Sequence, residues 1–267
     1  MKFLFADDIT TLATGSLQEE MQENLQSKSA VVEEWCSANA LVLNRNKTQT
    51  LEVGLNRCLD QSVNFLGLLV DNRLSWLSHI EALSPKLSTS IFMIRRLKNV
   101  VSDEVLRMVY FACFASRAAY CILAWGNSAH AINVFRQQKR AIRVLANLSW
   151  GESCRGYFAR LGILTIPSVY VLAVLGLVKA NLSLIPVASD AHHHETRSRG
   201  DLLIPFTRLS TVLRNDPIQV GSRLFNALPN KIRELPTRSF TNTIKSHLLR
   251  AELYSVEEFF EISWLGP

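Results

Sequence analysis

Paired cysteines are missing from this sequence. Its five cysteines, Cys36, Cys58, Cys113, Cys121 and Cys154, are odd in number, widely spaced and without a C-x-x-C pair. That excludes a zinc ribbon or a disulfide framework and fits a reducing compartment, so an intracellular location, cytoplasmic or nuclear, is expected. Glycine-rich phosphate loops of the G-x-G-x-x-G or Walker type are absent, and no Ser/His/Asp order suggests a nucleophilic triad. A secretory leader is not expected either, because Met1-Lys2-Phe3-Leu4-Phe5-Ala6 meets Asp7 and Asp8 before any long apolar run. The 18 uncharged residues from Leu161 to Val178 are broken by Pro167. A helix from Pro167 to about Ala180 would be roughly 21 Å long, short of a ~30 Å hydrocarbon layer, so a buried helix and no stable membrane insertion are expected.

What is present is a composition with enough apolar surface for a core: 48% apolar and 19% charged among 267 residues. The net charge of +6 is unevenly spread. Residues 1–90 hold 7 basic and 11 acidic side chains, net −4, and residues 91–267 hold 22 and 12, net +10. An acidic head precedes a body suited to a polyanionic partner.

Residues 2–6 and 9–13 read as a β-hairpin with Asp7-Asp8 at its tip. Ser16 and Glu19 form a capping-box signature for a helix reaching about Ala38, with Leu17, Met21, Leu25, Val32 and Trp35 on one face. Ala40–Asn44, Thr50–Val53 and Val63–Val70 read as strands. From about 76 to 184 the pattern is helical, with Asp103 as an N-cap. Beyond Pro186 it loosens, with short helices over Gly221–Leu228 and Phe240–Leu253. His192-His193-His194 reads as loop, since three successive side chains do not converge on one ion. The fold class expected is α+β, mainly helical: a small antiparallel sheet with one helix, a helical middle and a loosely ordered helical tail.

Two adjacent carboxylates can hold hard divalent cations, and two such ions clamp the oxygens of a phosphoryl displacement. A bare Asp-Asp also serves as a solvated turn. Further segments follow in order, however. Phe5-Ala6-Asp7-Asp8 resembles the [YF]-x-D-D palm motif of reverse transcriptases. The run from Trp35 through Asn39, Leu41-Val42-Leu43-Asn44 and Lys47-Thr48 is similar to the segment that follows it in retrotransposons without long terminal repeats. Phe65-Leu66-Gly67-Leu68-Leu69-Val70-Asp71, with Leu74, Trp76 and His79-Ile80, resembles the family's primer grip. Tyr120-Cys121-Ile122 with Trp125-Gly126, then Gln138–Arg143, then Leu161–Pro167 resemble the thumb and C-terminal region. His194–Arg197 and Leu224–Pro229 look like the tail of arthropod jockey-like elements.

The resemblance implies an RNA-directed DNA polymerase, a nucleotidyltransferase using Mg²⁺, with RNA template and RNA/DNA hybrid as partners. It implies a palm remnant over 1–75, a thumb-like region over 76–185 and a tail over 186–267. Asp7 would be a metal ligand and Asp8 its weaker neighbour, because successive side chains of an extended chain face opposite ways. Lys47 would assist pyrophosphate departure, or be an ordinary loop lysine. Phe65, Leu66 and Gly67 would position the primer end, a role compatible with strand packing.

Arg136, Lys139, Arg140 and Arg143 fall within an arc of about 100° on a helix, opposite Val134, Ala141, Ile142, Val144, Leu145 and Leu148. Arg95, Arg96 and Lys98 form a second cluster. Both suit a phosphate backbone, or a solvated charged face.

The resemblance also implies a third palm carboxylate and nucleotide-binding fingers upstream of the acidic pair, and the sequence starts at that pair. The expectation is therefore a fragment lacking the N-terminal polymerase portion and inactive alone. The alternative is a non-catalytic nucleic-acid-binding or assembly module from a decayed element. Primer extension on an RNA template with dNTPs and Mg²⁺ is expected to yield no product. Extension that disappears on Asp7→Ala would overturn that expectation.

Overall fold

The computed structural model describes residues 2–5, 8–54, 61–187, 201–204 and 215–264. Asp7 and the His192–Arg197 segment lie outside them. Among the described residues the chain is mainly helical with two small antiparallel sheets, an α+β composition. It divides into two compact units, Met1–Thr50 and Leu51–Pro267.

In the first unit, β1 (Lys2–Phe5) pairs with β2 (Asp8–Thr11), with Phe5 opposite Asp8. Asp8 thus opens a strand and its side chain is exposed. Helix α1 (Gln18–Ala38) follows. Its entry is fixed by Ser16, whose N–H and Oγ both donate to Glu20 Oε2, at 2.8 and 2.7 Å. The expected Ser16–Glu19 capping box does not form: the N-cap is Leu17, without a side-chain cap bond, because the helix begins one residue later than the S-x-x-E spacing assumes. The Ser16 bonds hold the Glu20 carboxyl below its ordinary range. The Lys28 ammonium and Asn24 amide tie α1 to the carbonyls of Leu12 and Thr14. Among the described side chains of this unit, Val32 and Cys36 are the buried apolar ones, while Leu17 and Trp35 stay largely exposed.

The strands expected over 40–44 and 50–53 do not form. In the first of these segments Val42 is 95% exposed, and β propensity without a packed face gives no strand. Residues 45–47 are a turn instead.

The second unit opens with β3 (Ser62–Phe65) and β4 (Leu68–Asp71), paired antiparallel with Phe65 opposite Leu68. The single strand expected over 63–70 is therefore a hairpin. Leu66 and Gly67 both take positive φ, 48° and 82°, which matches a type I′ turn. Helix α2 (Leu77–Leu97) runs through Pro85, which sits on the exposed side where water can serve the carbonyl left unpaired. Ile80, Leu83, Leu87, Ile91 and Ile94 form its buried stripe.

Helix α3 (Asp103–Val109) continues through a π-turn (Tyr110–Ala115) into α4 (Ser116–Ala119). Its N-cap is Ser102, whose Oγ accepts from Val105 N–H at 3.4 Å, rather than the expected Asp103, which is the first helical residue. After Cys121, in left-handed conformation, come α5 (Ile122–Trp125), α6 (Ala131–Ala146), α7 (Tyr157–Leu161) and α8 (Ile166–Ala180).

The uncharged run thus becomes a core helix, opened by Thr165 Oγ1 accepting from Ser168 N–H and by Pro167 in its first turn. Tyr170, Val171, Val174, Leu175 and Val178 are fully buried. Among the described residues, no helix is long and apolar enough to cross a membrane.

Among the described residues of the expected loose tail, the helices are packed. Helices α9 (Pro217–Asn226), α10 (Asn230–Arg233) and α11 (Thr237–Ala251) belong to the same core. Phe240, Ile244 and Leu248, one turn apart, are buried, as is Leu224. Burying each such side chain contributes about 1.5–3 kcal/mol. Gly221 lets α9 lie directly on α8: a Cβ there would come within 2.5 Å of Val178 Cγ2 and 2.7 Å of Val174 Cγ1. Residues 201–204 are held by Asn226, whose amide exchanges two 2.9 Å hydrogen bonds with the Leu202 backbone. Arg233 adds a 2.7 Å ion pair to Asp201. The apolar spacing of these helices is present in the sequence, but each is short and becomes a core face only against α8.

Candidate nucleic-acid interface

The C-terminal halves of α2 and α6 border a groove of about 610 Å³. Each helix turns an apolar stripe inward, so its charged residues emerge on the outer side. Four cations line the groove: Arg95 and Lys98 from the end of α2, Arg140 and Arg143 from α6. Its floor is Ile91, Val144 and Leu148, and its rims carry Phe92 and Trp150, which are 57% and 79% exposed.

The two helix ends are tied across the groove. Asn147 ends α6 in the left-handed conformation, φ 59°, its N–H donating to the Arg143 carbonyl. Its Oδ1 accepts from Lys98 Nζ at 2.6 Å. Arg143 Nε donates to the Glu152 carbonyl at 3.2 Å, and the Arg140 guanidinium stands 5.9 Å from the Trp150 ring. The C-terminal ends of both helices carry the negative end of the helix dipole, which favours cations there.

Other predicted cations lie elsewhere. Arg136 is exposed and donates to Asn133 Oδ1 at 3.1 Å. Arg96 stands over Phe92, 5.4 Å from the ring centre. Lys139 leans away, 4.9 Å from the Phe135 ring and 5.3 Å from that of Tyr254. The Arg155 guanidinium is 4.2 Å from the same Tyr254 ring. Burial pushes the Tyr254 hydroxyl up to about 12 and raises the nearby Cys154 thiol against the pull of Arg143 and Lys139.

Phe92, Asn147 and Trp150 were not expected as site residues. Phe92 lies one turn before Arg95 and Arg96, and Trp150 follows the helix stop at Asn147. That spacing was the available signal.

The second predicted element, Phe65-Leu66-Gly67, forms the turn of the β3–β4 hairpin. Phe65 is 40% exposed. Tyr120 Oη donates to the Leu66 carbonyl at 2.6 Å, and Asn64 Oδ1 accepts from Gly67 N–H at 3.1 Å. Below the turn, buried Asp71 organises the entry to α2: Oδ1 accepts from Ser75 N–H at 2.8 Å and Oδ2 from Trp76 N–H at 2.7 Å. His79 Nδ1 accepts a long bond, 3.5 Å, from Leu69 N–H.

Asp8 and Lys47 belong to the first unit. Lys47 is exposed in the 45–47 turn, its N–H donating to the Asn44 carbonyl at 3.1 Å. Among the described residues, no three His, Cys, Asp or Glu side chains gather as a metal site. Of the implied Mg²⁺ ligands, Asp8 is the described one, and a single exposed carboxylate does not make a two-metal site. Comparison with protein-family models, with curated proteins and with solved structures finds no match for the chain.

Burial, with Lys86 adding, holds the His79 imidazole below its ordinary value of 6.5. The unfolded chain then binds the proton more readily, so stability rises with pH and falls as pH drops through 6.5 toward the folded-state value. His79→Gln is expected to flatten the urea-unfolding free energy between about pH 7 and pH 5 relative to the parent chain. Parallel pH curves for the two proteins would contradict it.

Proposed function

We propose that this chain is the C-terminal portion of a reverse transcriptase of a jockey-like retrotransposon, comprising the end of the palm, the thumb and the C-terminal region, and that the cations of its basic groove contact the backbone phosphates of template and primer strands. The observation that carries the reading is convergence. Arg95 and Lys98 meet Arg140 and Arg143 on one groove flanked by exposed aromatic rings, although the two clusters are far apart in sequence. Four cations with apolar rings between them suit a polynucleotide better than a solvated face, which has no need of Phe92 and Trp150 in the same place. The ordered series of motifs from Phe5-Ala6-Asp7-Asp8 to Leu161–Pro167 supports the family, and the type I′ turn at Leu66-Gly67 supports a hairpin at the primer-grip position.

In this reading the groove cations neutralise backbone phosphates without reading bases. The Phe65–Gly67 turn, anchored by Tyr120, approaches the primer end. In this reading Asp7 and Asp8 contribute part of a Mg²⁺ site.

Binding to an RNA/DNA hybrid is expected to weaken with salt. Replacing Arg95, Lys98, Arg140 and Arg143 together by Ala is expected to lower the slope of log K against log [salt] by roughly 0.9 for each phosphate no longer neutralised. Replacing Arg136 and Lys139 is expected to change it less. An unchanged slope in the fourfold variant would show that the groove does not touch phosphates.

A further inference from the structure

We infer that the groove between α2 and α6 takes a single-stranded stretch of polynucleotide, with a base stacked on Trp150 and its phosphates between the flanking cations. The inference rests on reading this surface as polynucleotide-binding and goes beyond it by naming the form of the strand.

Three observations point to a single strand. The first is the lining: the floor of Ile91, Val144 and Leu148 is apolar, while the charge sits beside it on Arg95, Lys98, Arg140 and Arg143. A duplex presents phosphates and sugars outward and keeps its base faces stacked inside, so it would leave that floor unmatched. An unpaired strand offers both phosphates and free π faces. The second is the rings. Trp150 is 79% exposed, and the Arg140 guanidinium stands 5.9 Å from its centre. A base on the open face would complete a guanidinium–indole–base stack, with Phe92 as a second platform on the opposite rim. The third is size: about 610 Å³ lies within the range of pockets that enclose small organic ligands, suited to a short run of unstacked nucleotides.

The test is fluorescence anisotropy with oligo(U), oligo(dT) and an RNA/DNA hybrid, each of about 12 nucleotides, within the site sizes of single-strand binders. Both single strands are expected to bind. Trp150→Ala is expected to weaken both about tenfold, the typical loss of one stacked base, and the hybrid less than twofold. Trp150 and Phe92 are largely exposed, so their replacement leaves the core intact, and Phe92→Ala serves as a second variant expected to act in the same direction. Hybrid binding with no effect of either variant on the single strands would overturn this inference alone. Failure of every probe to bind would overturn it together with the proposed function. A polyglutamate peptide bound as tightly, with the same sensitivity to Trp150→Ala, would overturn it in favour of acidic protein.

Discussion

The rotation of α6 about its own axis decides which of its side chains meet solvent, and buried Gln138 fixes that rotation. Its Nε2 donates to Tyr110 Oη at 2.9 Å and to the Leu164 carbonyl at 2.8 Å, and its Oε1 accepts from Ile166 N–H at 2.8 Å. One amide thus joins α6 to the π-turn after α3 and to the start of α8. Gln138 and Tyr110 are each 1% exposed, so an unmade bond would leave a polar group stranded in the core. Burial also pushes the Tyr110 phenol far above its ordinary range, which keeps it a neutral partner for the amide.

With that amide turned inward, Arg140 and Arg143 must face the end of α2. There the stripe from Ile80 to Ile94 is buried and leaves Arg95 and Lys98 on the outside. The groove is therefore a by-product of two helices burying their apolar faces, held at its rim by Asn147 and Lys98. The same logic governs the hairpin of the second unit, where Asp71 supplies acceptors to the backbone that turns into α2, so the exposed Phe65 and the turn at Leu66-Gly67 stand on a fixed base.

Much of this was legible in the sequence, and the reasons are local. Thr165 and Pro167 announce the start of α8, and the opposed charged and apolar sides of residues 134–148 announce an amphipathic α6. The hairpin turn at Leu66-Gly67 was hidden because a leucine adopts φ 48° inside an apolar run that looks like one strand. The strand expected at 40–44 failed for want of a packed face. The convergence of residues 95 and 98 with 140 and 143 is a tertiary fact that no window of sequence contains. Trp150 reads as an isolated aromatic until the groove gives it a setting. Of the acidic pair, Asp8 is described and Asp7 lies outside the described residues, so the chemistry of that pair rests on the resemblance alone.

Whether polynucleotide lies in the α2–α6 groove is the question on which the rest turns. Ultraviolet cross-linking of a 4-thiouridine-substituted oligonucleotide to the intact chain, with the attached peptides read by mass spectrometry, tests it directly. Adducts are expected on the segments containing Phe92 and Trp150, and are expected to disappear when the groove cations are replaced. Adducts confined to other surfaces, with these segments unmodified, would contradict a polynucleotide-binding groove.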